Sequence, residues 1–125
     1  MMNKNYRKGR KFECFIVNFF RNKNCYATRT AGSHTLFDVI GVVGKQVFLI
    51  QCKTGRFVNK EVEKFKLYGQ NFCRKNVHVF FCWRSLKKFK ACYLNEDVWL
   101  NKKDFENKVF EIIKKEVEKD ETGKH

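Results

Sequence analysis

The stretch DVIGVVGKQVFLIQCK, from Asp38 to Lys53, decides the fold, because it holds two runs of β-branched and aromatic residues around a Gly-Lys pair. Runs of this composition and length predict β-strands. Gly44 occupies the first central position of the connection, where a two-residue type II′ turn requires a positive φ. The stretch therefore predicts an antiparallel hairpin with its turn at Gly44 and Lys45.

The register of this hairpin brings three polar side chains together at one end. Val43 faces Gln46 across the turn, and the same pairing places Asp38 opposite Gln51, with their Cβ atoms roughly 5 Å apart. Because side chains alternate along a strand, Lys53 shares that face. Two oxygen ligands beside a lysine suit Mg²⁺ and a phosphodiester substrate. The alternative is a polar pair at an exposed sheet end, and a single β-bulge would break the register.

The rest of the chain alternates helical and strand patterns. Apolar residues recur at helical spacing in three segments and in strand-like runs elsewhere. The predicted helices cover residues 8–22, 59–75 and about 102–119, and further strands cover 25–29, 77–83 and 89–94. Asn59 is expected to cap the second helix. The order αβββαββα predicts an α/β fold with a mixed sheet.

The chain length predicts one globular domain. The 125 residues suffice for a single core and are too few for two. We expect one domain over residues 1–125, with a C-terminal helix at about 102–120 and a frayed tail at 120–125. The apolar runs are too short to cross a bilayer, and the N-terminal segment is polar. We therefore expect a cytoplasmic protein that does not enter membranes.

The charge of the chain indicates a polyanionic partner. The formal net charge of +14 belongs to residues 1–101, which hold 20 basic and six acidic side chains. Nucleic acid is the leading candidate, because neutralised phosphates release counterions. An anionic membrane or a merely soluble basic surface are the alternatives. The basic run RSLKKFK at 84–90 fits either a DNA-contacting segment or a charged hairpin turn.

Cysteine and histidine carry little functional signal. The six cysteines lie at least nine residues apart without a CxxC pair, which predicts free thiols that pack as small apolar residues. A zinc site remains open only if cysteines and histidines converge in space. His78 lies in an apolar run and is interpreted as structural.

Two carboxylates stand out in the basic N-terminal half. The first 60 residues contain twelve Lys and Arg but only Glu13 and Asp38 as acids. A lone carboxylate repels a phosphate unless a cation lies between them, so both are candidate metal ligands. Taken singly, Glu13 also fits a solvated helix position and Asp38 a strand end.

Four sequence segments together resemble a known family. They are RKGRKFE from Arg7 to Glu13, RTAGS from Arg29 to Ser33, Asp38, and the QCK that ends at Lys53. In this order and spacing they resemble the archaeal-type Holliday junction resolvases of the PD-(D/E)xK nuclease superfamily. The resemblance covers residues 7 to about 95.

This resemblance implies a restriction-endonuclease-like fold, in which a mixed β-sheet is flanked by helices. It also implies an endodeoxyribonuclease of DNA recombination and repair that hydrolyses phosphodiesters at four-way junctions. The expected cofactor is Mg²⁺, with Mn²⁺ as a substitute, and no small-molecule cofactor is expected. The expected partners are branched DNA and a second copy of the chain.

The resemblance also assigns roles to individual residues. Catalytic roles fall on Glu13, Asp38, Gln51, Lys53 and Ser33, of which Glu13, Asp38 and Gln51 would bind the metal. DNA contacts are expected at Arg7, Lys8, Arg10, Arg29, His34 and Arg56, of which the resemblance carries over Arg7 and Arg29. The sequence departs from the family pattern in having Gln51 where a carboxylate is usual, and Phe37 where the superfamily name has proline.

Two alternatives remain at this level. The chain fits another PD-(D/E)xK enzyme, such as a nickase or a repair endonuclease. It also fits a non-catalytic basic DNA-binding domain, but a pure binder has no use for Glu13 and Asp38 aligned with Lys53. Junction selectivity depends on how two copies are arranged, which the spacing of residues does not reveal.

Overall fold

The computed structural model describes residues 4–30 and 35–122, with side chains for 7–30 and 35–119. In this part of the chain the helices are α1 (Lys4–Arg21), α2 (Asn59–Gly69), which continues as a 3-10 turn at Gln70–Phe72, and α3 (Lys102–Thr122). The strands are β1 (Tyr26–Arg29), β2 (Val39–Val43), β3 (Gln46–Thr54), β4 (Val77–Ser85), β5 (Lys88–Tyr93) and β6 (Val98–Leu100). The predicted order is confirmed, with β6 added. None of the described helices is long and apolar enough to cross a membrane.

The six strands form one mixed sheet in their sequence order, β1 to β6. Only the central pair β3 and β4 is parallel, and α2 makes the crossover that a parallel pair requires. The other neighbours pair antiparallel. The predicted α/β fold with a mixed sheet is confirmed. The sequence does not predict β6, because three residues are too few to show an alternating pattern.

Helices cover both faces of the sheet. On one face α1 and α3 pack against the even-numbered positions of β3, and this core includes Phe12, Ile16, Phe20, Phe48, Ile50, Phe105 and Val109. On the other face α2 packs in a smaller cluster that includes Phe37, Val62, Phe65, Phe81 and Trp83. Because β3 is covered on both faces, its side chains alternate between two apolar layers.

The second helix differs from its prediction at both ends. Asn59 is the first helical residue and caps nothing, since the residue before the helix is Val58 in extended conformation, without a side-chain hydrogen bond. The α-helix ends at Gly69, where a Cβ would lie 3.1 Å from the Leu94 side chain. The chain approaches Leu94, directly after β5, at this point before it enters β4. The predicted extension to residue 75 is therefore wrong.

The turn between β2 and β3 has the predicted form and a further contact. Gly44 has a φ of +56°, and the pairing of Val43 with Gln46 places it in the turn. The Glu116 carboxylate of α3 lies against Gly44, in the space that a Cβ would occupy. Its Oε1 accepts a hydrogen bond from the Lys45 N–H at 2.8 Å. Gly44 is thus required both by the turn and by the helix packed over it.

A chain of buried hydrogen bonds continues from this turn into the sheet. Glu116 Oε2 accepts from Gln46 Nε2 at 3.0 Å, and Gln46 Oε1 lies 2.6 Å from His78 Nε2. His78 Nδ1 in turn lies 2.7 Å from the Tyr93 hydroxyl. Because the Gln46 oxygen can only accept, His78 donates from Nε2 and accepts from Tyr93. Burial lowers the pKa of His78. The ring is buried between Gln46 and Tyr93, as expected of a structural histidine.

We expect Glu116→Ala to lower the free energy of unfolding by about 1–3 kcal/mol, because it leaves the donors of Lys45 and Gln46 unsatisfied. The hydrogen bond from the Lys45 N–H, and then that from Gln46, lower the pKa of Glu116. A carboxyl whose pKa is lowered in the folded state stabilises the fold at pH values above its usual pKa. This contribution is lost as the pH falls through the pKa of the folded state. Urea unfolding at several pH values measures both effects.

Two variants serve as controls for this prediction. Glu116→Gln keeps an acceptor but not the charge. The difference between its free energy of unfolding and that of the wild type should therefore shrink at acidic pH. Glu111→Ala removes an exposed carboxylate of the same helix and should cost little. An equal cost for the Glu111 and Glu116 variants would contradict the role given to Glu116.

Candidate active site

The regular pairing of β2 with β3 ends at Val39, one residue short of Asp38. Val39 pairs with Ile50, and the Asp38 N–H also donates to the Ile50 carbonyl at 2.8 Å. Two residues of one strand therefore oppose a single residue of the other, which is the arrangement of a β-bulge. The register from Val39 to Val43 is as predicted. The direct opposition of Asp38 and Gln51 is wrong.

The bulge changes the sheet face on which neighbouring residues lie. Phe37 and Val39 are two positions apart and would share a face of a regular strand. Instead Val39 packs in the layer of α1 and α3, whereas Phe37 packs in the layer of α2. Asp38 is the residue at which the chain crosses between the layers. Bulges are frequent beside active sites, where they re-aim a side chain.

The Asp38 carboxylate takes the place of a backbone acceptor. Its Oδ2 accepts from the Cys52 N–H at 2.8 Å, a donor that would meet the Phe37 carbonyl if the alternation of the ladder continued. The Phe37 carbonyl accepts instead from the hydroxyls of Thr30, at 2.7 Å, and Thr35, at 2.9 Å. Side chains thus satisfy the polar groups that the bulge releases.

Four charged side chains meet around this position. Burial raises the pKa of the Asp38 carboxyl, while the hydrogen bond from the Cys52 N–H lowers it. Glu13 raises this pKa further, and Lys53 and Arg29 lower it. The structure therefore brings Glu13 and Lys53 within electrostatic reach of Asp38, as the sequence predicts.

Glu13 and Arg29 form an ion pair at the edge of this group. Arg29 Nε, at the end of β1, donates to Glu13 Oε1 of α1 at 2.9 Å. Both side chains are partly buried, so the pair is better shielded than an ordinary surface ion pair. Arg29, predicted as a DNA contact, thus holds a predicted metal ligand in place.

Gln51 and Lys53 occupy the face of β3 that is turned to α2. Both line a cavity of about 380 Å³, together with Thr35 and Glu61. Lys53 Nζ lies 3.8 Å from Glu61 Oε2, in the first turn of α2. The sequence does not point to Glu61, because its proximity to Lys53 results from the packing of α2 on the sheet.

The loop after β1 lies partly outside the described residues. Ser33 and His34, predicted as a catalytic and a DNA-contacting residue, fall in the segment 31–34, and their roles remain predictions. On either side of this segment the hydroxyls of Thr30 and Thr35 lie 3.0 Å apart. Because Thr35 also lines the cavity of Gln51 and Lys53, the segment starts and ends beside the candidate site.

The predicted DNA-contacting residues of α1 are exposed. Arg56 is exposed as well, so the exposed residues among the predicted DNA contacts are Arg7, Lys8, Arg10 and Arg56. Lys8 lines a cavity of about 280 Å³ together with Lys11 and Arg84. The run 84–90 covers the end of β4, the turn and the start of β5, since Ser85 pairs with Lys88. From the sequence, Arg84 fits either a charged turn or a DNA contact. In the structure it lies among the basic residues of this surface.

The thiols play no part in this group. The six cysteines are free, and burial raises the pKa of the Cys52 thiol well above its usual value. Among residues 7–30 and 35–119, no cluster of three or more His, Cys, Asp or Glu side chains is arranged to hold a metal ion. A zinc site of cysteine and histidine is therefore not formed by the described residues.

The remaining ligands nevertheless fit a hard cation. Glu13 and Asp38 lie close enough for one carboxylate to raise the pKa of the other. A divalent cation between them would relieve this repulsion. A third oxygen ligand would have to come from a neutral group such as the Gln51 amide. The donor set thus suits Mg²⁺ better than a softer metal.

Comparisons with known proteins indicate a family and a fold. Residues 4–90 match the family model described as archaeal Holliday junction resolvase (Hjc). Among solved structures, the Hjc Holliday junction resolvase of the hyperthermophile Archaeoglobus fulgidus is similar, with 15% identity and a TM-score of 0.51. The match covers 77% of this chain and 85% of that one. A search of curated proteins found no match.

The mixed sheet flanked by helices is an α/β fold of the restriction-endonuclease-like class, as the similar structure indicates. The chain belongs to the archaeal Holliday junction resolvase family, because that family model covers more than half of it. It is accordingly a structure-selective nuclease that acts on DNA junctions. Resolvases of this nuclease superfamily are metal-dependent.

We expect two substitutions of Asp38 to have opposite effects on stability. Asp38→Asn keeps an oxygen that accepts from the Cys52 N–H and removes a partly buried charge, so its unfolding midpoint should equal or exceed that of the wild type. Asp38→Ala leaves this N–H without its acceptor and should cost about 1–3 kcal/mol. Urea unfolding checks both, and equal stability of the two variants would contradict the bond between Asp38 and Cys52.

Proposed function

We propose that the chain cleaves four-way DNA junctions as a Mg²⁺-dependent homodimer, with Asp38 at the centre of its active site. The observation that carries this proposal is the bulge that holds the Asp38 carboxylate beside Glu13 and Lys53. Placing a charge at a partly buried position costs free energy, and a protein that only binds DNA gains nothing from it. The family match covers all of these residues and supports the same conclusion.

Each residue of the group has a distinct role. Asp38 and Glu13 would supply anionic oxygens to the metal, and Gln51 would supply a neutral oxygen from the neighbouring strand. The bound cation would polarise the phosphate and lower the pKa of the attacking water. Lys53, held near Glu61 at 3.8 Å, neutralises charge that develops on the phosphate.

The basic residues around the site position the DNA. Arg7, Lys8 and Arg10 are exposed on the first turns of α1, the helix that also carries Glu13. Contacts from these side chains to phosphates give binding that falls steeply with salt, and they carry no sequence information of their own. Selection of a junction over a duplex then depends on the arrangement of two copies of the chain. An action inside the cell, where such DNA occurs, follows from this proposal.

We expect Asp38→Asn and Lys53→Ala to reduce junction cleavage by at least a hundredfold while changing junction affinity less than threefold. The reason is that the Asp38 and Lys53 side chains act at the phosphate that reacts, whereas most of the binding energy comes from contacts with other phosphates. Cleavage of a labelled four-way junction, and its binding in Ca²⁺ without cleavage, measure the two properties. Full cleavage by Asp38→Asn would refute the site.

Gln51 is tested by adding a charge. Gln51→Glu should keep activity and lower the Mg²⁺ concentration for half-maximal cleavage severalfold, because a further carboxylate strengthens a site for a hard cation. Lys64→Gln is a matched control on the wall of the same cavity, and it should leave the dependence on Mg²⁺ unchanged. An unaltered Mg²⁺ titration of Gln51→Glu would remove Gln51 from the set of metal ligands.

Exposed apolar residues on α2 and the turn after it support the proposed dimer. Leu67, Tyr68 and Phe72 are each about half exposed or more, and we take their exposed side chains as the candidate contact surface. Tyr68 also lines the cavity of Gln51 and Lys53. A second copy that covered this surface would bring its own site close to the first, which paired cleavage of a junction requires.

We expect Leu67→Lys to weaken dimerisation at least tenfold, because it places a charge in an apolar contact. Val117→Lys makes the same change at an exposed apolar position on α3 and should leave the dimer intact. Light scattering at micromolar concentration measures the mass of each variant. A wild type that is only monomeric would overturn the dimer, and equal effects of the two variants would place the contact elsewhere.

A further inference from the structure

The turn between β4 and β5 carries an apolar side chain in an unusual position. Leu86 is 97% exposed, the largest exposed fraction among the large apolar residues of the described chain. Its φ is +50°, a left-handed conformation that glycine and asparagine adopt more easily than leucine. Single exposed apolar residues are common on protein surfaces. A leucine that is both fully exposed and strained needs a further reason.

The surroundings of Leu86 are basic and firmly held. Leu86 lines the cavity of about 280 Å³ that also contains Lys8, Lys11 and Arg84. The Arg84 guanidinium lies 4.7 Å from the centre of the Phe12 ring, and this stacking fixes its position. The cavity thus combines three cations with one apolar tip, which suits a phosphate beside an apolar contact.

This cavity lies at the same end of the sheet as the candidate site, at the carboxyl ends of the central strands. β3 and β4 are parallel, so their carboxyl ends meet, and Lys53 pairs with Trp83 while Thr54 pairs with Arg84. Leu86 is two residues beyond Arg84, which places it roughly 7 Å past the end of the paired strands. The part of the cavity wall formed by Gly55 is held in place, because the Gly55 carbonyl accepts from the Trp83 indole N–H at 2.9 Å.

We propose that Leu86 is a wedge that enters the DNA at the branch point of the junction, while Lys8, Lys11 and Arg84 hold a neighbouring phosphate. Apolar side chains inserted between base pairs are a known means of opening a helix. At a branch point the continuous stack of base pairs is interrupted, so a wedge displaces less stacking there than in an unbroken duplex. Leu86 would then favour junctions over duplexes. This inference rests on the junction nuclease function.

The test uses a four-way junction with 2-aminopurine beside the branch point, whose fluorescence rises when the base unstacks. Wild-type protein in Ca²⁺ should raise the fluorescence. Leu86→Gly and Leu86→Asn, which suit the left-handed turn, should raise it little and should lose about tenfold in the ratio of junction to duplex affinity. Both should unfold at the same temperature as the wild type or above it. Leu86→Met keeps an apolar tip and should retain the signal.

A salt titration separates the wedge from the phosphate contacts. Lys11→Gln should reduce the slope of log affinity against log salt by about one, whereas Leu86→Gly should leave this slope unchanged. Val117→Asn removes an exposed apolar residue elsewhere and should alter neither property.

Several results would overturn the wedge. Unchanged fluorescence on binding of the wild type, or an unchanged junction preference in Leu86→Gly, would do so. A change of oligomeric state in Leu86→Gly would show that this side chain contacts another copy of the chain and not DNA. The junction nuclease function would fail separately, through a wild type that neither binds nor cleaves junctions.

Discussion

The hydrogen bond from the Cys52 N–H to the Asp38 carboxylate is the contact on which the geometry of the site depends. It lets β2 end in a bulge without leaving a buried donor unsatisfied, so Phe37 and Val39 can enter different apolar layers. The same bond fixes the carboxylate at the carboxyl end of β3, next to Lys53. Fold and site are thus coupled through one side chain, since the residue that completes the ladder is also the proposed metal ligand.

A second polar anchor lies at the opposite end of β3. There Gln46 connects Glu116 of α3 with His78 of β4, and through it with Tyr93 of β5. These bonds are directional and buried, so they hold the start of β3 in one register relative to its neighbours. A shift of β3 by one residue would move each of its side chains to the other layer. The distant network therefore helps to keep Lys53 on the face of the candidate site.

The sequence predicts the elements of the fold better than the local geometry of the site. The hairpin register from Val39 to Val43 follows from alternation and from Gly44, and both are local signals. The bulge at Asp38 has no such signal, because it arises from Phe37 and Val39 packing against different helices. The position of Glu61 near Lys53 and the end of α2 at Gly69 likewise depend on tertiary packing. The charge distribution and the resemblance to a family both point to the two carboxylates, but neither predicts their backbone conformation.

The charge arrangement explains how a site for a polyanion can contain carboxylates. Glu13 is paired with Arg29, and Asp38 accepts from a backbone N–H, so each carboxylate has a partner within the protein, although burial still raises the pKa of Asp38. Lys53 adds a further positive charge nearby. With a neutral glutamine at position 51, the group carries one negative charge fewer than a third carboxylate would give it. The approach of a phosphate is then less opposed, whereas a cation is attracted less strongly. In the proposed site, Gln51 would therefore lower the affinity for the metal and raise the affinity for DNA, in a chain whose basic residues already favour DNA.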